Sequence, residues 1–459
     1  MKKTSLIIVA LLLVAIAILP VVGNKYMQSS VEEALKNADA HGLKLLTSKT
    51  DESYLNTKKH FEFVIEDSSE FVAYINSHAH TQMPAQTQSE LDGTVIGFDV
   101  SYSNIPFAKS VHFALYPLKL SKVVSDELKT EDIGFYNHLA EFLKNKGLFY
   151  YGEYNLINSE FKSYLKDIDD HYTLQNSSDV NITVKGASFN GEGDILVPEK
   201  LVTRVKTIHF MAAQKEAYAK LFLENFQTNN HFVSWSDYTN EAAFDSMEFA
   251  VVGTGDDISI DIEAFKTSSN AVKKAKHVEM YSKSSVKNIK LVSKQLNLVA
   301  TNLKTDVSVT DVALEPFERL SAFMTDTSST NMMMQQQVLQ EDILAILAEG
   351  MQIKINDISL ENLTLNDTKK FGGFKLNLDF KVKKDADVAK KMKQSPLLFL
   401  SNIEMDSKMT LSKPFYSLLL QSSPMAQQLN AYAKEDHGNV VFDVTLHNAK
   451  LQVNGKTLK

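Results

Sequence analysis

The segment FGGFKLNLDFKV, residues 371–382, alternates apolar and polar side chains with a period of two. The apolar members of the alternation are Phe374, Leu376, Leu378, Phe380 and Val382. A β-strand points successive side chains to opposite faces, so this period places the apolar side chains on one face and Lys, Asn and Asp on the other. The segment therefore predicts a strand with one apolar and one polar face.

The same alternation recurs on both sides of this segment. The other clear runs are Phe61/Phe63/Ile65, Ile182/Val184, Ile258/Ile260/Ile262, Ile353/Ile355, Leu363/Leu365 and Phe442/Val444/Leu446. Turn-forming sequences that contain Gly, Asn or Asp occupy 190–194, 253–257, 372–373 and 454–455. Short turns join antiparallel strands, whereas parallel strands need crossovers of a dozen residues or more. We therefore expect a β-rich α+β fold made of extended or curved antiparallel sheets.

Apolar residues spaced by three or four, which indicate helices, occur in few places. The pattern predicts helices at Ile133–Lys146, Ala386–Gln394 and Met425–Lys434. It also predicts two helices within Glu315–Glu349, divided near the turn-forming residues 325–329. We expect these few helices at the periphery of the sheets.

The N-terminal run SLIIVALLLVAIAILPVV, Ser5–Val22, has no charged residue and follows Lys2 and Lys3. A helix needs about 20 apolar residues to cross a bilayer, whereas the apolar part of a signal peptide has about 7 to 15. The length therefore favours a retained transmembrane anchor over a signal peptide cleaved at Val21-Val22-Gly23. The preceding lysines orient the N-terminus in the cytoplasm and everything after Asn24 outside it. Expected anchor residues are Ser5, Leu6, Ile7, Leu12, Ile18 and Val22.

The order of these patterns divides the chain into five segments. We expect a membrane anchor at 1–23, a juxtamembrane helix at 24–42 and a β-rich domain at 43–314. The helical segment at 315–350 is the expected boundary, because strand patterns dominate on both sides of it. A C-terminal β-rich domain then occupies 351–459.

Charge and residue usage exclude several classes of function. The formal charge of -8 repels nucleic-acid phosphates, and no segment concentrates Lys and Arg enough to offset it. Because the chain has no cysteine, disulfides, thiolate metal sites and cysteine nucleophiles are excluded. The chain also lacks the G-x-S-x-G motif and the glycine-lysine loop of nucleotide enzymes. We therefore expect a protein that is not an enzyme, uses no cofactor and binds no nucleic acid.

Two groups of polar residues have spacings that a metal site could use, and both have simpler explanations. His78 and His80 would share one face of a strand, but no third ligand is identifiable near them. Asp256, Asp257, Asp261 and Glu263 cluster at a glycine turn, but their spacing fits no EF-hand calcium loop. Three of them, Asp257, Asp261 and Glu263, alternate with isoleucines as a solvated strand face does. We therefore expect no metal site. The enzymatic alternative is an unrecognised hydrolase with two carboxylates, a chemistry that needs no motif.

The order of several sequence pieces resembles a known family. These pieces are the lysine-preceded apolar segment, VEEALKNADAHG, GLKLLTS, GTGDDISIDIEAF and the C-terminal VTLHNAKLQVNGKTL. Together they resemble the YdgA-like family of bacterial envelope proteins, the domain of unknown function 945. The resemblance implies an inner-membrane anchor and a periplasmic body of repeated β segments. It implies no reaction, substrate or catalytic residue.

Two functions are compatible with such an anchored, β-rich envelope protein. In the first, an apolar concave sheet face binds or transfers a lipid or another apolar envelope component. Candidate residues for that face are Ile258, Ile260, Ile262, Ile353, Ile355, Phe374, Leu376, Leu378 and Phe380. In the second, the apolar faces form ordinary core, and the protein is a structural module that binds another envelope protein or a second copy. The strand pattern is the same in both cases, so the sequence leaves both open.

Overall fold

The computed structural model describes residues 41–79, 85–103, 110–193, 198–253, 255, 257–325, 332–366 and 369–457. Contacts divide the chain into two compact units, with the division between Asn229 and Asn230. We refer to them as the N-terminal unit and the C-terminal unit. Both are dominated by antiparallel strands, so the β-rich, antiparallel part of the predicted fold is confirmed.

In its described part, the N-terminal unit combines nine strands of 6 to 10 residues and one of 17 residues with four helices. The elements in chain order are β1 (Leu43–Glu52), β2 (Asn56–Ile65), α1 (Ser68–Ala79), α2 (Ala85–Leu91), β3 (Val95–Ser103), β4 (Ser110–Lys119), α3 (Lys122–Glu131), α4 (Ile133–Lys144), β5 (Tyr150–Asn155), β6 (Glu160–Leu165), β7 (Ile168–Thr173), β8 (Asp179–Lys185), β9 (Ser188–Gly193) and β10 (Pro198–Gln214). Strand β11 (Ala217–Ser234) contains the division between the units.

A single row of paired residues shows how the core of the N-terminal unit forms. Phe61 of β2 pairs with Phe98 of β3, which pairs with Leu115 of β4, and Leu115 pairs with Tyr150 of β5. Paired residues in an antiparallel ladder share a face, so these four side chains form one apolar layer. All four are buried, in one cluster with residues of α1, α3 and α4 such as Phe71. Here the alternating pattern gives a closed core.

The C-terminal unit is built mainly from very long strands. The elements in chain order are β12 (Asp237–Val252), β13 (Ile258–Lys273), β14 (His277–Ser293), β15 (Asn297–Ala313), α5 (Leu314–Thr325), α6 (Met332–Glu349), β16 (Met351–Leu365), β17 (Lys369–Val382), α7 (Val388–Gln394), α8 (Pro396–Phe399), β18 (Ile403–Ser412), α9 (Lys413–Ser422), α10 (Pro424–Leu429), β19 (Lys434–Asp436), β20 (Asn439–His447), β21 (Lys450–Val453) and β22 (Lys456–Thr457). Two 3₁₀ turns, Leu400–Asn402 and Asn430–Tyr432, follow α8 and α10.

Strands β12 to β18 pair in sequence order, each antiparallel to the next, and β20 follows β18. The first six of them contain 14 to 17 residues, beyond the usual 3 to 10. At about 3.3 Å per residue, the 17-residue strands are about 55 Å long. The short helices cannot cover ladders of this length completely.

The predicted helices are present, but the sequence pattern missed others. Helix α4 confirms the helix predicted at Ile133–Lys146, and α5 and α6 confirm the pair predicted within Glu315–Glu349. Helix α7 lies within the predicted segment Ala386–Gln394, and α10 overlaps the first half of the predicted segment Met425–Lys434. Helices α1, α2, α3, α8 and α9 were not predicted. Whether the 315–350 segment separates two independently folding domains stays a prediction.

Two of the four predicted turns are wrong. Residues 253–257 and 454–455 do lie between strands, whereas Asn190–Gly193 lies inside β9 and Gly372-Gly373 lies inside β17. A Cβ atom on Gly373 would lie 1.7 Å from the carbonyl oxygen of Leu360 on β16. Gly372 has a φ of 67°, and the β16–β17 register shifts beside it. These glycines therefore permit an irregular, close strand pairing instead of a turn.

In the described part of the chain, no helix is long and apolar enough to cross a membrane. The predicted anchor at 1–23 lies outside the described residues, as does all but the end of the predicted helix at 24–42.

Candidate apolar binding surface

Strands β16 and β17 place six of the predicted face residues side by side. Ile353 pairs with Phe380, and Ile355 pairs with Leu378. Leu376 pairs with Ile358, a residue that the sequence pattern did not single out. Phe374 continues the same face of β17, because it is separated from Leu376 by one residue. The structure thus brings together the predicted residues of these two strands.

The neighbouring strands extend this face with further apolar side chains. Val307 of β15 pairs with Ile355, and Met405 of β18 pairs with Phe380. We call the central part of this face the apolar strip. It consists of Val307, Ile353, Ile355, Ile358, Leu376, Leu378, Phe380 and Met405.

Every side chain of the apolar strip is only partly buried, and none belongs to a buried core cluster. Leu115, at an equivalent alternating position in the N-terminal unit, is completely buried. The strip therefore keeps part of its apolar surface accessible from outside. Isolated exposed apolar residues are ordinary, but a contiguous set on one face is typical of binding surfaces.

Helices cover the same face at both ends of the strip. At one end, Leu314 and Phe317 of α5 and Ile346 of α6 pack with Met280 and Val309. Val309 pairs directly with Ile353 of the strip, so this helical cover lies on the strip's face.

At the other end, Phe415, Tyr416 and Leu419 of α9 pack with Met409 and Phe442. Met409 pairs with Leu376 of the strip, so this second cover also lies on the strip's face. The strip is the gap between the two covers.

The remaining three predicted residues belong to a separate patch. Ile260 pairs with Phe249 of β12 and Leu291 of β14, and Ile262 pairs with Met247 and Ile289. Ile258 and Phe249 are both 40% exposed. Ala264, with a φ of 52°, follows this patch on β13 and interrupts the regular strand. Strand β14 lies between β13 and β15, so none of Ile258, Ile260 and Ile262 pairs with a residue of the strip.

Charged residues on the opposite face of β16 and β17 form weak ion pairs. Lys354 lies 3.6 Å from Asp379, and Lys375 lies 4.0 Å from Asp357. Such exposed pairs contribute about 0 to 1 kcal/mol each to the stability of the fold, and their charges make this face hydrophilic. The strip itself has no ionisable side chain. Its chemistry is therefore that of a hydrocarbon surface.

A polar cluster in the N-terminal unit was not predicted from the sequence. His60 Nδ1 lies 2.7 Å from Asp99 Oδ1, and Tyr116 and Lys146 donate to Asp99 Oδ2 at 2.9 and 3.0 Å. Burial alone would raise the pKa of Asp99, but these three hydrogen bonds outweigh it and lower the pKa. Gly97 leaves the space that the Tyr116 ring occupies.

An open cavity of about 480 Å³ adjoins this cluster and is lined by Lys49, Lys58 and His112 among others. The cluster's residues come from four separate places in the chain, so no local sequence motif predicts the cluster. Its carboxylate is already occupied by three donors, which makes it a structural network that links β2, β3, β4 and the residues after α4.

Asp257, a candidate metal ligand in the sequence, has other partners in the structure. Asp257 accepts a hydrogen bond from the Gly253 amide at 2.9 Å and lies 3.7 Å from Lys294. Among the described residues, no group of three or more His, Asp or Glu side chains is placed to hold a metal. Asp256, His80 and the side chain of His78 lie outside the described part of the chain.

A family model for bacterial proteins of unknown function (DUF945) matches residues 170–459. The chain belongs to this family. The resemblance noted in the sequence is thereby confirmed. The DUF945 region includes the whole C-terminal unit, and with it the apolar strip and both helical covers. No curated protein and no solved structure matches the chain. DUF945 membership therefore identifies relatives without supplying a function.

Proposed function

We propose that the protein is a non-enzymatic binding or transfer protein for lipid or another apolar component of the bacterial envelope. The apolar strip is the observation that carries this proposal. Its side chains lie between two helical covers and are only partly buried. Burial of an apolar ligand against them gains about 25 cal/mol per Å², or about 0.8 kcal/mol per CH₂ group. A hydrocarbon chain is the ligand that such a surface favours.

The composition of the strip argues for a hydrocarbon chain over a polar metabolite. Small-molecule sites combine an apolar lining with a few placed polar groups that fix the ligand's orientation. The strip itself contains no polar side chain, and the hydroxyl side chains in its rows include Ser407, which pairs with Leu378, and Thr305, which pairs with Ile358. A surface of this kind selects for apolar area and length but not for a particular headgroup.

The proposed setting is the periplasmic side of the inner membrane. Ser5–Val22 is the proposed single-pass anchor, with the N-terminus in the cytoplasm and the rest of the chain outside. An anchored protein with an extended apolar face would remain beside a source of lipid. A reporter fused after Lys459 tests this orientation, because it should be active only in the periplasm.

The exposed patch around Ile258 favours a second candidate function, self-association or binding of another envelope protein. Phe249, Val251 and Ile258 are each 40 to 43% exposed on the same face of β12 and β13. A second copy of the chain could cover them. In this alternative the protein is a structural module of the envelope, and the apolar surfaces bind protein.

Photo-crosslinking in living cells distinguishes the two functions. A photoreactive residue at Leu378 lies on the strip, whereas one at Lys375 lies on the opposite face of the same strand and is the matched control. The proposal expects lipid adducts at position 378 and none at 375. Adducts of twice the protein's mass at 378 would instead support self-association. Equal lipid labelling at both positions would contradict the proposal.

A further inference from the structure

The connection between the two strip strands β17 and β18 has an unusual charge for this acidic protein. We call residues 383–402 the lysine arm. It carries Lys383, Lys384, Lys390, Lys391 and Lys393 against Asp385 and Asp387. The arm directly follows Val382, which pairs with Ile403 on the same face as Phe380. The arm therefore extends from one end of the apolar strip.

Internal hydrogen bonds fix the arm in place. Lys391 Nζ lies 2.5 Å from Asp385 Oδ2, and the Asn402 side-chain amide donates to the same oxygen at 2.5 Å. The Asp385 backbone N–H donates to the Ala348 carbonyl at 2.8 Å, which ties the arm to α6. Val388 is completely buried. One lysine of α7 thus has a structural role.

The other two lysines of α7 point away from the protein. Lys390 and Lys393 are exposed, three residues apart, and neither forms an ion pair within the described part of the chain. Residues three apart on a helix share a face. Leu398 of α8 is 47% exposed close after them. The arm therefore presents two cationic side chains and an apolar side chain outward.

We propose that the lysine arm docks this end of the apolar strip on a phospholipid bilayer that contains anionic headgroups. Lys390 and Lys393 would contact the headgroups, and Leu398 would enter the boundary between headgroups and acyl chains. Lysines beside apolar residues are the composition that binds anionic bilayer surfaces, because charge attraction and apolar burial act together. A docked arm would give an acyl chain a short path between bilayer and strip. Only the delivery of an acyl chain to the strip rests on the proposed lipid function; docking on the bilayer does not.

The test uses the full-length chain held in phosphatidylcholine nanodiscs. Because the chain has no cysteine, Leu398→Cys provides one site for a polarity-sensitive dye. Vesicles of phosphatidylcholine mixed with phosphatidylglycerol should shift the dye's emission to the blue, and vesicles of phosphatidylcholine alone should not. Salt at 1 M shortens the screening length to about 3 Å and should abolish the shift.

The charge contribution is measured with a matched pair of variants. Each lysine near an anionic surface contributes roughly fivefold to affinity, so Lys390→Gln with Lys393→Gln should weaken vesicle binding about 30-fold. The control is Lys369→Gln with Lys370→Gln, which removes the same charge from two exposed lysines at the other end of β17. The control should bind as the parent does.

Three results would overturn the docking proposal. They are equal losses in the two double variants, a blue shift that ignores salt, and an equal shift with vesicles that lack phosphatidylglycerol. Failure of the lipid function is recognised separately with Phe380→Asp on the strip, which should lose lipid crosslinking from position 378 and still dock. If the parent docks but never crosslinks to lipid, the docking proposal stands and the lipid function fails.

Discussion

The two units use the same alternating strands, yet one buries its apolar face and the other leaves part of it accessible. In the N-terminal unit, Phe98 and Leu115 are 1% and 0% exposed beneath helices. In the C-terminal unit, Ile355 and Leu378 occupy an equivalent row and are only partly buried. The comparison teaches that helical cover, and not strand pattern, decides whether a sheet face becomes core.

The positions of the helices explain the difference. Helices α3 and α4 follow β4 directly, and α4 contributes Phe135, Leu139 and Leu143 to the buried cluster. In the C-terminal unit, α5, α6 and α9 pack near the ends of the long strands. Neither of these two helical clusters includes a residue of the strip.

The largest expected effect comes from matched truncations in the two units. Phe98→Ala should destabilise the N-terminal unit by about 3 to 5 kcal/mol, because it empties a completely buried site. Phe380→Ala on the strip should destabilise the C-terminal unit by about 1 kcal/mol, because its ring is already partly in water. Urea unfolding followed by hydrogen exchange of each unit's peptides measures both values.

The same two substitutions should have the reverse order of effect on lipid capture. Phe380→Ala should weaken crosslinking to lipid from position 378, whereas Phe98→Ala should leave it unchanged under conditions where the protein stays folded. Equal destabilisation by the two substitutions would contradict the comparison, because it would mean that the strip is ordinary core.

The sequence predicted the strands well and the exposure of their faces not at all. The segments Phe374 to Val382 and Phe61 to Ile65 have the same period of two. This period specifies a β-strand but does not show which elements pack on its apolar face. That cover depends on helices distant in sequence. The division of the predicted face into the strip and the Ile258 patch depends on register, which local patterns do not specify.

The second effect concerns the glycines that were mistaken for a turn. Gly373→Ala should destabilise the C-terminal unit by about 2 to 3 kcal/mol, because the new Cβ would overlap the Leu360 carbonyl of β16. Gly255→Ala is the control, since nothing lies within 4 Å of its added Cβ. Fluorescence of Trp235, the only tryptophan, follows unfolding of this unit in urea. Similar midpoints for the two variants would contradict the close approach.

The missed helices did have local signals. Ser412 precedes Lys413–Ser422, its side chain accepts a hydrogen bond from the Phe415 amide, and Pro414 occupies the first turn. Ser121 caps α3 in the same way, accepting from the Val124 amide. Ser at the N-cap and Pro in the first turn both mark the start of a helix. Short helices between strands have too few turns for the helical spacing of apolar residues to be recognised.

A third, smaller effect compares caps in the two units. Asp132→Ala should destabilise the N-terminal unit by about 1 to 2 kcal/mol, because its carboxylate accepts from the Phe135 and Gln175 amides at 2.9 and 2.7 Å. Asp387 precedes α7 without a side-chain capping bond, so Asp387→Ala should change stability by less than about 0.5 kcal/mol. Comparable losses in the two variants, measured by urea unfolding, would refute the assignment of Asp132 as the stronger cap.

The smallest effect is a local response of the lysine arm to acid. Hydrogen bonds from Lys391, the Asp387 amide and Asn402 lower the pKa of Asp385 from 3.8 to about 2. Because the folded pKa is depressed, the carboxylate's contribution is fully present above about pH 4 and is lost as the pH falls through about 2. A spin label on Leu398→Cys should therefore become more mobile between pH 4 and pH 2. With Asp385→Asn, this titration should be absent. Trp235 fluorescence checks that the unit stays folded over this range. If the spectrum of the parent then stays constant, other contacts hold the arm. The orientation of its exposed lysines would in that case not depend on Asp385.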